Sequence, residues 1–513
     1  MKAAVWFAFV VLILVITILP AVSADEDSVV AVFATGRAGG LMASGFAVAD
    51  GTWIVTAPAA VTETVYGKKS NLWDVFVVSR VTGEIYPASV AAVDEDSSLA
   101  LLTISKPAAP GVKLAPDSVV SYAPRVTLGQ LLSGEDVGSK FPTSILGFDF
   151  QKTPPKYVVK SWRGSNGCIS EIKSRDLLFL SKVTPDEKPP KAALVMRYGQ
   201  AVGVFQVRIF VEGGQKPVVF YRATPVKLLR QFLKKSGLDE KLISAASGPA
   251  SIDDAEPAFQ SACFALTASL FGSSQEAFDK ASEALKIRPN SAVLNMLKGA
   301  ALIKLGKPED AVKSLNAALD IDPKLISARL ERGIAYMVAG KNAAAEEDLR
   351  AVFKEQPNNV RALFALTAVL SSSDSGLPEC SRLLKDAERR NPDDLDVRIE
   401  LARVLKKQKD YDGAIERLKF VIEKVPSRTD VRATLASAYE ASGKFDLAEA
   451  QYRKIVELEP QNPDAYFFLI DYLISVGKTD DAKSSISDVR KLKLTPDAEE
   501  TLKKLESKIE NHK

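Results

Sequence analysis

Six prolines stand almost evenly spaced in the second half of the chain: Pro289, Pro323, Pro357, Pro392, Pro426 and Pro460, with gaps of 34, 34, 35, 34 and 34 residues. Few folds admit such a ladder. Proline stops helices, and a fixed period means one small unit stacked on copies of itself. Twelve residues before each proline sits a small side chain: Ala277, Ala311, Ala345, Cys380, Ala414 and Ala448. Eight before it sits Ala281, Leu315, Leu349, Leu384, Leu418 or Tyr452. Apolar positions three and four apart, ended by proline, predict paired helices from about Pro257 onward.

This helix–turn–helix period resembles the tetratricopeptide repeat (TPR) family. In 292–325, Gly299 matches the family's small residue in the first helix (helix A), with Leu302 three residues on. Gly306 falls in the turn, and Ala311, Leu315, Ala318 and Pro323 match positions in and after the second helix (helix B). Unit 326–359 keeps Gly333, Tyr336, Ala345, Leu349 and Pro357, and unit 429–462 keeps Leu435, Ala436, Tyr439, Ala448, Tyr452 and Pro460. Small residues let the two helices approach, and larger apolar ones fill the space between pairs. Seven units are expected across 257–495: 258–291, 292–325, 326–359, 360–394, 395–428, 429–462 and 463–496. A capping helix follows in 496–513, with Leu502, Leu505 and Ile509 as its apolar stripe.

The resemblance implies peptide or protein partners on a concave face lined by helix A. Its apolar part would be Val293, Met296, Ala300 and Ile303, then Leu330, Ile334 and Met337. The alternative for this stretch is burial against the neighbouring domain. Arg403, Lys406 and Lys407 are basic candidates on the same face, with a solvated helix surface as the plainer reading; Asp430, Asp464 and Asp471 are acidic. The repeated Asn and Lys of a carboxylate clamp are absent.

From Ser28 to about Phe220 the pattern is that of strands. Asp50-Gly51, Thr82-Gly83 and Tyr198-Gly199-Gln200 each separate two Val-, Ile- and Phe-rich runs, which predicts hairpins and an all-β barrel or sandwich. A helix over about 225–235, with Pro225 in its first turn, closes this half. Residues 236–256 read as a linker or short connecting helix.

Gly45 to Ala57 resembles the segment leading to the catalytic histidine of trypsin-like serine peptidases of the Deg/HtrA branch, and Asp96 to Leu102 resembles the segment carrying their aspartate. The tail of the nucleophile motif is matched by Ala193-Leu194-Val195, Gly199 and Val202-Gly203-Val204. The resemblance implies a double β-barrel over 25–235. Its histidine, aspartate and serine positions hold Ala59, Ser98 and Pro190. Proline has neither a nucleophile nor the N–H that an oxyanion hole needs.

Composition reaches the same end without alignment. The single histidine is His512, so no base from the chain interior can be histidine, which excludes Ser-His-Asp and Cys-His catalysis. Cys168, Cys263 and Cys380 are far apart, and no CxxC exists, so no metal site and no cofactor are expected. Ser165 within Arg163-Gly164-Ser165-Asn166-Gly167 is read as a turn residue. A net charge of +3 without charge blocks gives no nucleic-acid footprint.

Lys2, the apolar run Ala3–Leu19 and Ala21-Val22-Ser23-Ala24 read as a signal peptide over 1–24, which points to a periplasmic or extracellular protein. An uncleaved membrane anchor is the rival, and the membrane is then met only through that segment. The sequence therefore leads to an exported, non-catalytic scaffold: an inactive trypsin-like double barrel followed by an all-α TPR solenoid. Its alternatives are a serine-type hydrolase using a non-standard nucleophile such as Ser165 or Ser98, and a barrel that only caps the solenoid.

Overall fold

The computed structural model describes residues 27–37, 39–65, 68–72, 74–112, 114, 139–149, 158–172, 175–181, 194–197, 200–211, 218–244, 249 and 254–511. The segment 1–24, Pro190 and His512 lie outside them. Two compact units are present, Met1–Lys341 and Asn342–Lys513.

The first unit opens with a closed antiparallel barrel in the order β1-β2-β3-β8-β7-β6. Its strands are β1 (Val29–Gly36), β2 (Gly39–Val48), β3 (Trp53–Thr56), β6 (Asp74–Ser79), β7 (Ile85–Asp94) and β8 (Leu99–Ile104). Strands β4 (Thr62–Val65) and β5 (Lys68–Asn71) form a separate two-stranded sheet. A second closed barrel follows in the order β10-β11-β14-β13-β12-β9. It comprises β9 (Ser139–Asp149), β10 (Val158–Ile172), β11 (Arg175–Ser181), β12 (Leu194–Arg197), β13 (Gln200–Val211) and β14 (Val218–Pro225). All three expected hairpins form, with Val48 opposite Trp53, Val78 opposite Ile85 and Arg197 opposite Gln200.

Ser165 is not in a turn. It lies inside β10, where the register against β9 shifts between Gly164 and Asn166. Pairing on both sides of β10 overrides the local glycine signal, and the extra residue is taken up as a bulge. Helix α1 (Val226–Lys235) has Pro225 as its N-cap, one position earlier than expected.

Side-chain parity divides the first barrel's apolar residues between two cores. Val30, Val32 and Ala34 of β1 join Val75 and Val77 of β6, Ala47, Ile54 and Leu102 in the barrel interior. The alternate residues Val29, Ala31 and Phe33, with Phe76 and Val78, belong to a different cluster outside it. That outer cluster includes Val204 and Ala223 of the second barrel, Val226 and Leu229 of α1, and residues of the repeat helices as far as Ala335. A near-continuous apolar strand such as Val29–Ala34 is therefore buried on both faces.

After the short helix α2 (Glu240–Ser244), helical hairpins follow. The first unit holds α3 (Ala255–Phe271) with α4 (Ser274–Ile287), α5 (Ala292–Lys304) with α6 (Pro308–Ile321), and α7 (Ile326–Val338). The second holds α8 (Asn342–Glu355), α9 (Val360–Leu370), α10 (Leu377–Arg390), α11 (Leu395–Lys407), α12 (Tyr411–Lys424), α13 (Thr429–Ala441), α14 (Phe445–Leu458), α15 (Pro463–Ser475), α16 (Thr479–Val489) and α17 (Pro496–Asn511).

The proline ladder works through the residue before it. Arg288, Asp322, Asn391, Val425 and Glu459 end their helices at φ between −126° and −136° and ψ between 60° and 92°. Proline's ring disfavours the helical ψ in its predecessor. Helix A then restarts on a side-chain cap: Ser291, Asn359 and Asp394 accept the backbone N–H three residues on at 3.4, 3.1 and 3.2 Å. At Gly299 a Cβ would lie 2.6 Å from Leu315 Cγ, so this small residue is what lets α5 meet α6.

The turn between helices A and B takes a left-handed residue at Gly306, Gly340, Gly443 and Gly477, with φ from 70° to 75°. Lys409 fills that role between α11 and α12 with φ 65°. A side chain there costs about 1 kcal/mol over glycine. Lys409→Gly is expected to raise thermal stability by about 0.5–1 kcal/mol, read as a higher Tm, whereas Gly443→Lys should lower it by a similar amount.

Candidate functional site

The apolar helix-A residues of the early repeats are not all free to line a groove. Val293 and Met296 of α5 are buried, at 2% and 4% exposure, in the cluster that holds the outer face of the first barrel, and Ile303 packs against it. Leu330 is buried at 3%, while Ala300, Ile334 and Met337 are half-buried. The alternative reading, burial against the neighbouring domain, describes Val293, Met296 and Ile303.

Polar contacts fasten the same interface. Thr267 of α3 reaches Met42 Sδ of β2 at 3.6 Å, and Ser327 of α7 donates to Asp74 of β6. Arg288, just past α4, donates to the Thr82 carbonyl at 3.3 Å and pairs with Glu84 at 3.3 Å. Arg80 pairs with Glu256 at 3.2 Å. Gly83, at the β6–β7 turn, has φ 69°, and a Cβ there would lie 2.5 Å from Ala258 Cβ in α3. The first compact unit accordingly takes in the early repeats with the barrel.

The basic trio is split among three neighbours. Arg403 pairs with Glu400 on its own helix. Lys406 reaches forward to Ser437 Oγ of α13 at 3.0 Å. Lys407 reaches back to the Ser371 carbonyl and hydroxyl at 3.3 and 3.4 Å, just beyond α9. Of the three, Lys406 joins successive A helices directly.

Beside it the A helices of the second unit bring together groups that the sequence left scattered. Glu440 of α13 lies within reach of Lys406, Tyr452 and Asp471; burial raises its carboxyl above the usual carboxylate range, and the Asp471 charge adds to this. Asp471 of α15 pairs with Lys508 of α17 at 2.7 Å. Phe468, three residues before it, is half exposed at 51%. Lys406 and Glu440 are 34 residues apart, as are Ser437 and Asp471, which is the signal that could have tied these positions together in advance. On the B side, Glu449 is held below its usual range by the Lys478 hydrogen bond at 2.6 Å, and Arg453 adds to this.

Of the three positions that the peptidase resemblance singles out, Ala59 and Ser98 are among the described residues. Thr56 of β3 is opposite Ala100 of β8, so Ala59, three residues beyond the first, and Ser98, two before the second, belong to the same end of the barrel. Ala59 is exposed on a short 3-10 turn, Pro58–Ala60. Ser98 sits at φ 56°, and its hydroxyl donates to the Glu95 carbonyl at 3.3 Å. Pro190 lies outside the described residues. Cys263 and Cys380 are buried; the Cys380 thiol donates to the Thr367 carbonyl at 3.4 Å, and burial pushes both thiols up. Among the described residues no helix is long and apolar enough to cross a membrane, and no group of three or more His, Cys, Asp and Glu is arranged to hold a metal ion.

With helical hairpins of this geometry in place, family comparison identifies their class. Models described as tetratricopeptide repeat match residues 292–325, 330–367 and 433–486, and 381–438 and 405–458. The C-terminal region is therefore made of TPR repeats, preceded by a β-barrel region. No curated protein matches the chain. Similar solved structures include a TPR protein of Parabacteroides merdae at 18% identity, covering 46% of this chain and 93% of that one with a TM-score of 0.38. A thermophilic TPR protein of Thermus thermophilus is 22% identical, covers 36% and 100%, and has a TM-score of 0.31. YrrB, a TPR protein with an unusual peptide-binding site, is 18% identical, covers 36% and 95%, and has a TM-score of 0.30. TPR proteins bind protein or peptide partners.

Two measurements check this geometry. Gly83→Val is expected to cost about 1–3 kcal/mol by forcing a side chain into a left-handed, overpacked position. It should also speed limited proteolysis of the first unit, with barrel and repeats loosening together. The two glutamates should act in opposite directions with pH. Glu449 has a lowered folded pKa, so its stabilisation is present above the unfolded value of about 4.3 and lost as pH falls through the folded pKa. Glu440 has a raised folded pKa, so its ionisation costs stability as pH rises above the unfolded value. In Tm measured against pH, Glu449→Gln should lower stability at pH 7 and flatten the acid limb. Glu440→Gln should raise stability at pH 7, with the gain vanishing in acid.

Proposed function

We propose that the chain is an exported, non-catalytic adaptor that binds protein or peptide partners through its TPR repeats. The observation that carries this is the division of the helix-A surface. In the early repeats Val293 and Met296 are buried in the core shared with the first barrel, whereas in the second unit the surface presents Lys406, Glu440, Asp471 and half-exposed Phe468. Such a surface suits an extended segment that combines charged side chains with an apolar one.

For the barrels we propose a trypsin-like scaffold without its chemistry. Two closed six-stranded antiparallel barrels with a terminal helix support the reading, as does the shared barrel end for positions 59 and 98. Ala59, Ser98 and Pro190 leave the triad empty, and His512 is the sole histidine. The apolar segment 3–19 followed by Ala-Val-Ser-Ala supports export. A second reading, in which the barrel serves only to cover the solenoid's first repeats, is favoured by the shared core itself.

Crosslinking and recovery from the native envelope separate these roles. The full chain and 257–513 should recover the same partner if the TPR surface carries the binding. A partner recovered by the full chain alone would move the binding surface to the barrel or its junction. A fluorophosphonate probe should leave the protein unlabelled; labelling would restore the hydrolase alternative.

A further inference from the structure

The second unit carries a feature on its opposite side. A pocket of about 660 Å³ opens between α8, α9 and α10. Its apolar lining is Phe353, Pro357, Leu366 and Leu383, and its charged lining has five basic side chains against two acidic ones. That excess of three equals the formal net charge of the entire chain. A second depression of about 550 Å³ continues along α10 past Lys385 toward Arg417 of α12.

The basic groups are held in place. Arg350 grips both oxygens of Glu379 at 2.7 Å and Glu346 at 2.8 Å, and the first of these contacts holds the Glu379 carboxyl below its usual range. Arg390 donates to the Pro357 carbonyl and Asn358 Oδ1, both at 2.8 Å. Arg382 stands at the rim, 64% exposed, with carboxylates only at 3.7 and 3.9 Å, and Arg389, 79% exposed, donates to Asp386 through one of its guanidinium nitrogens. Guanidinium groups with donors to spare around an apolar floor are an arrangement for carboxylates flanking one apolar side chain.

We propose that this basic-rimmed pocket on the helix-B side docks an acidic peptide segment, with one apolar side chain in the floor and its carboxylates on Arg382, Arg389 and their neighbours. Charge complementarity and the concave apolar floor select this occupant. A nucleic-acid backbone would leave Phe353 and Leu383 uncovered, and a membrane surface would not enter a recess. The site is separate from the helix-A surface above, and its test is independent of that reading.

The test titrates the full chain into a short fluorescein-labelled peptide of glutamates around one tryptophan, followed by anisotropy at two salt concentrations. Saturable binding that weakens with salt is expected, and Arg382→Glu/Arg389→Glu should weaken it about tenfold or more. Both residues are exposed, so an unchanged Tm should confirm that the fold is intact. Replacing the peptide's glutamates by glutamine, or its tryptophan by alanine, should each cost about tenfold. No saturable binding, or binding within about twofold of the parent for the double variant, overturns the proposal. So does binding to phosphatidylglycerol vesicles or single-stranded DNA that the double variant abolishes while the peptide's binding is untouched.

Discussion

Burial of β1 and β6 on both faces is the constraint on which the first unit depends. A barrel strand ordinarily turns one set of side chains inward and the other to solvent. Here Val30, Val32 and Ala34 fill the barrel, while Val29, Ala31 and Phe33, buried at 1% or less, face outward and need cover. At roughly 1.5–3 kcal/mol for each large apolar side chain, leaving that row in water would offset much of a domain's net stability. The cover comes from the second barrel, α1 and the first repeat helices. The need is mutual, because α3 buries Ala258, Phe259, Ala262, Cys263, Ala265 and Leu266 and has more apolar circumference than α4 and α5 alone conceal.

That mutual cover decides what the early repeats can do. A helix-A face presents a partner with whatever its own neighbours leave uncovered. In α5 Val293 and Met296 belong to the core shared with the barrel, and α3 fits closely at Gly83 and Gly40, where a Cβ would meet Ala258 and Leu270 at 2.5 and 2.6 Å. Displacing the barrel would return its own outer row to water, so exchange with a peptide ligand is disfavoured on both sides of the contact. The helix-A groups of the second unit bear no such load. Lys406, Ser437, Asp471 and Lys508 satisfy one another through contacts that are partly or wholly solvent-exposed. Such pairs are worth little to stability and can be exchanged for a ligand's groups at small cost.

The helical half was largely legible because its signals are local. Proline constrains its predecessor, a cap residue sits at a fixed offset, and Gly299 stands where a helix must approach Leu315. The hairpins were legible for the same reason. What covers a strand's outer face is not local, and Val29–Ala34 reads the same whether water, a helix or a second barrel lies beyond it. For that reason Val293 and Met296, chemically suited to a ligand groove, turned out to be core. The basic trio misled through adjacency. Arg403, Lys406 and Lys407 are close on one helix, but long side chains reach Glu400, Ser437 and Ser371 in three directions. Ser165 misled through glycines that usually mark turns but are held in β10 by strands on either side.

The two sides of the second unit differ in how their charge is balanced, and this bears on selectivity more than on affinity. On the helix-A side charges of both signs stand along the row, with Lys406 and Lys508 on either side of Glu440 and Asp471, so a partner gains only by matching the order of charges, and a uniformly charged segment meets repulsion at Lys406 or at Asp471. On the helix-B side the excess is of one sign and surrounds an apolar recess. There the discrimination is coarser, since any acidic segment is drawn in and the recess then selects by the shape of one side chain. Both devices are built by the same repeat. The 34-residue period fixes the backbone through proline, glycine and small residues, and it leaves the outward positions of each helix free to vary from unit to unit. A solenoid can therefore hold a barrel with one set of units and keep two unlike surfaces on another without altering its frame.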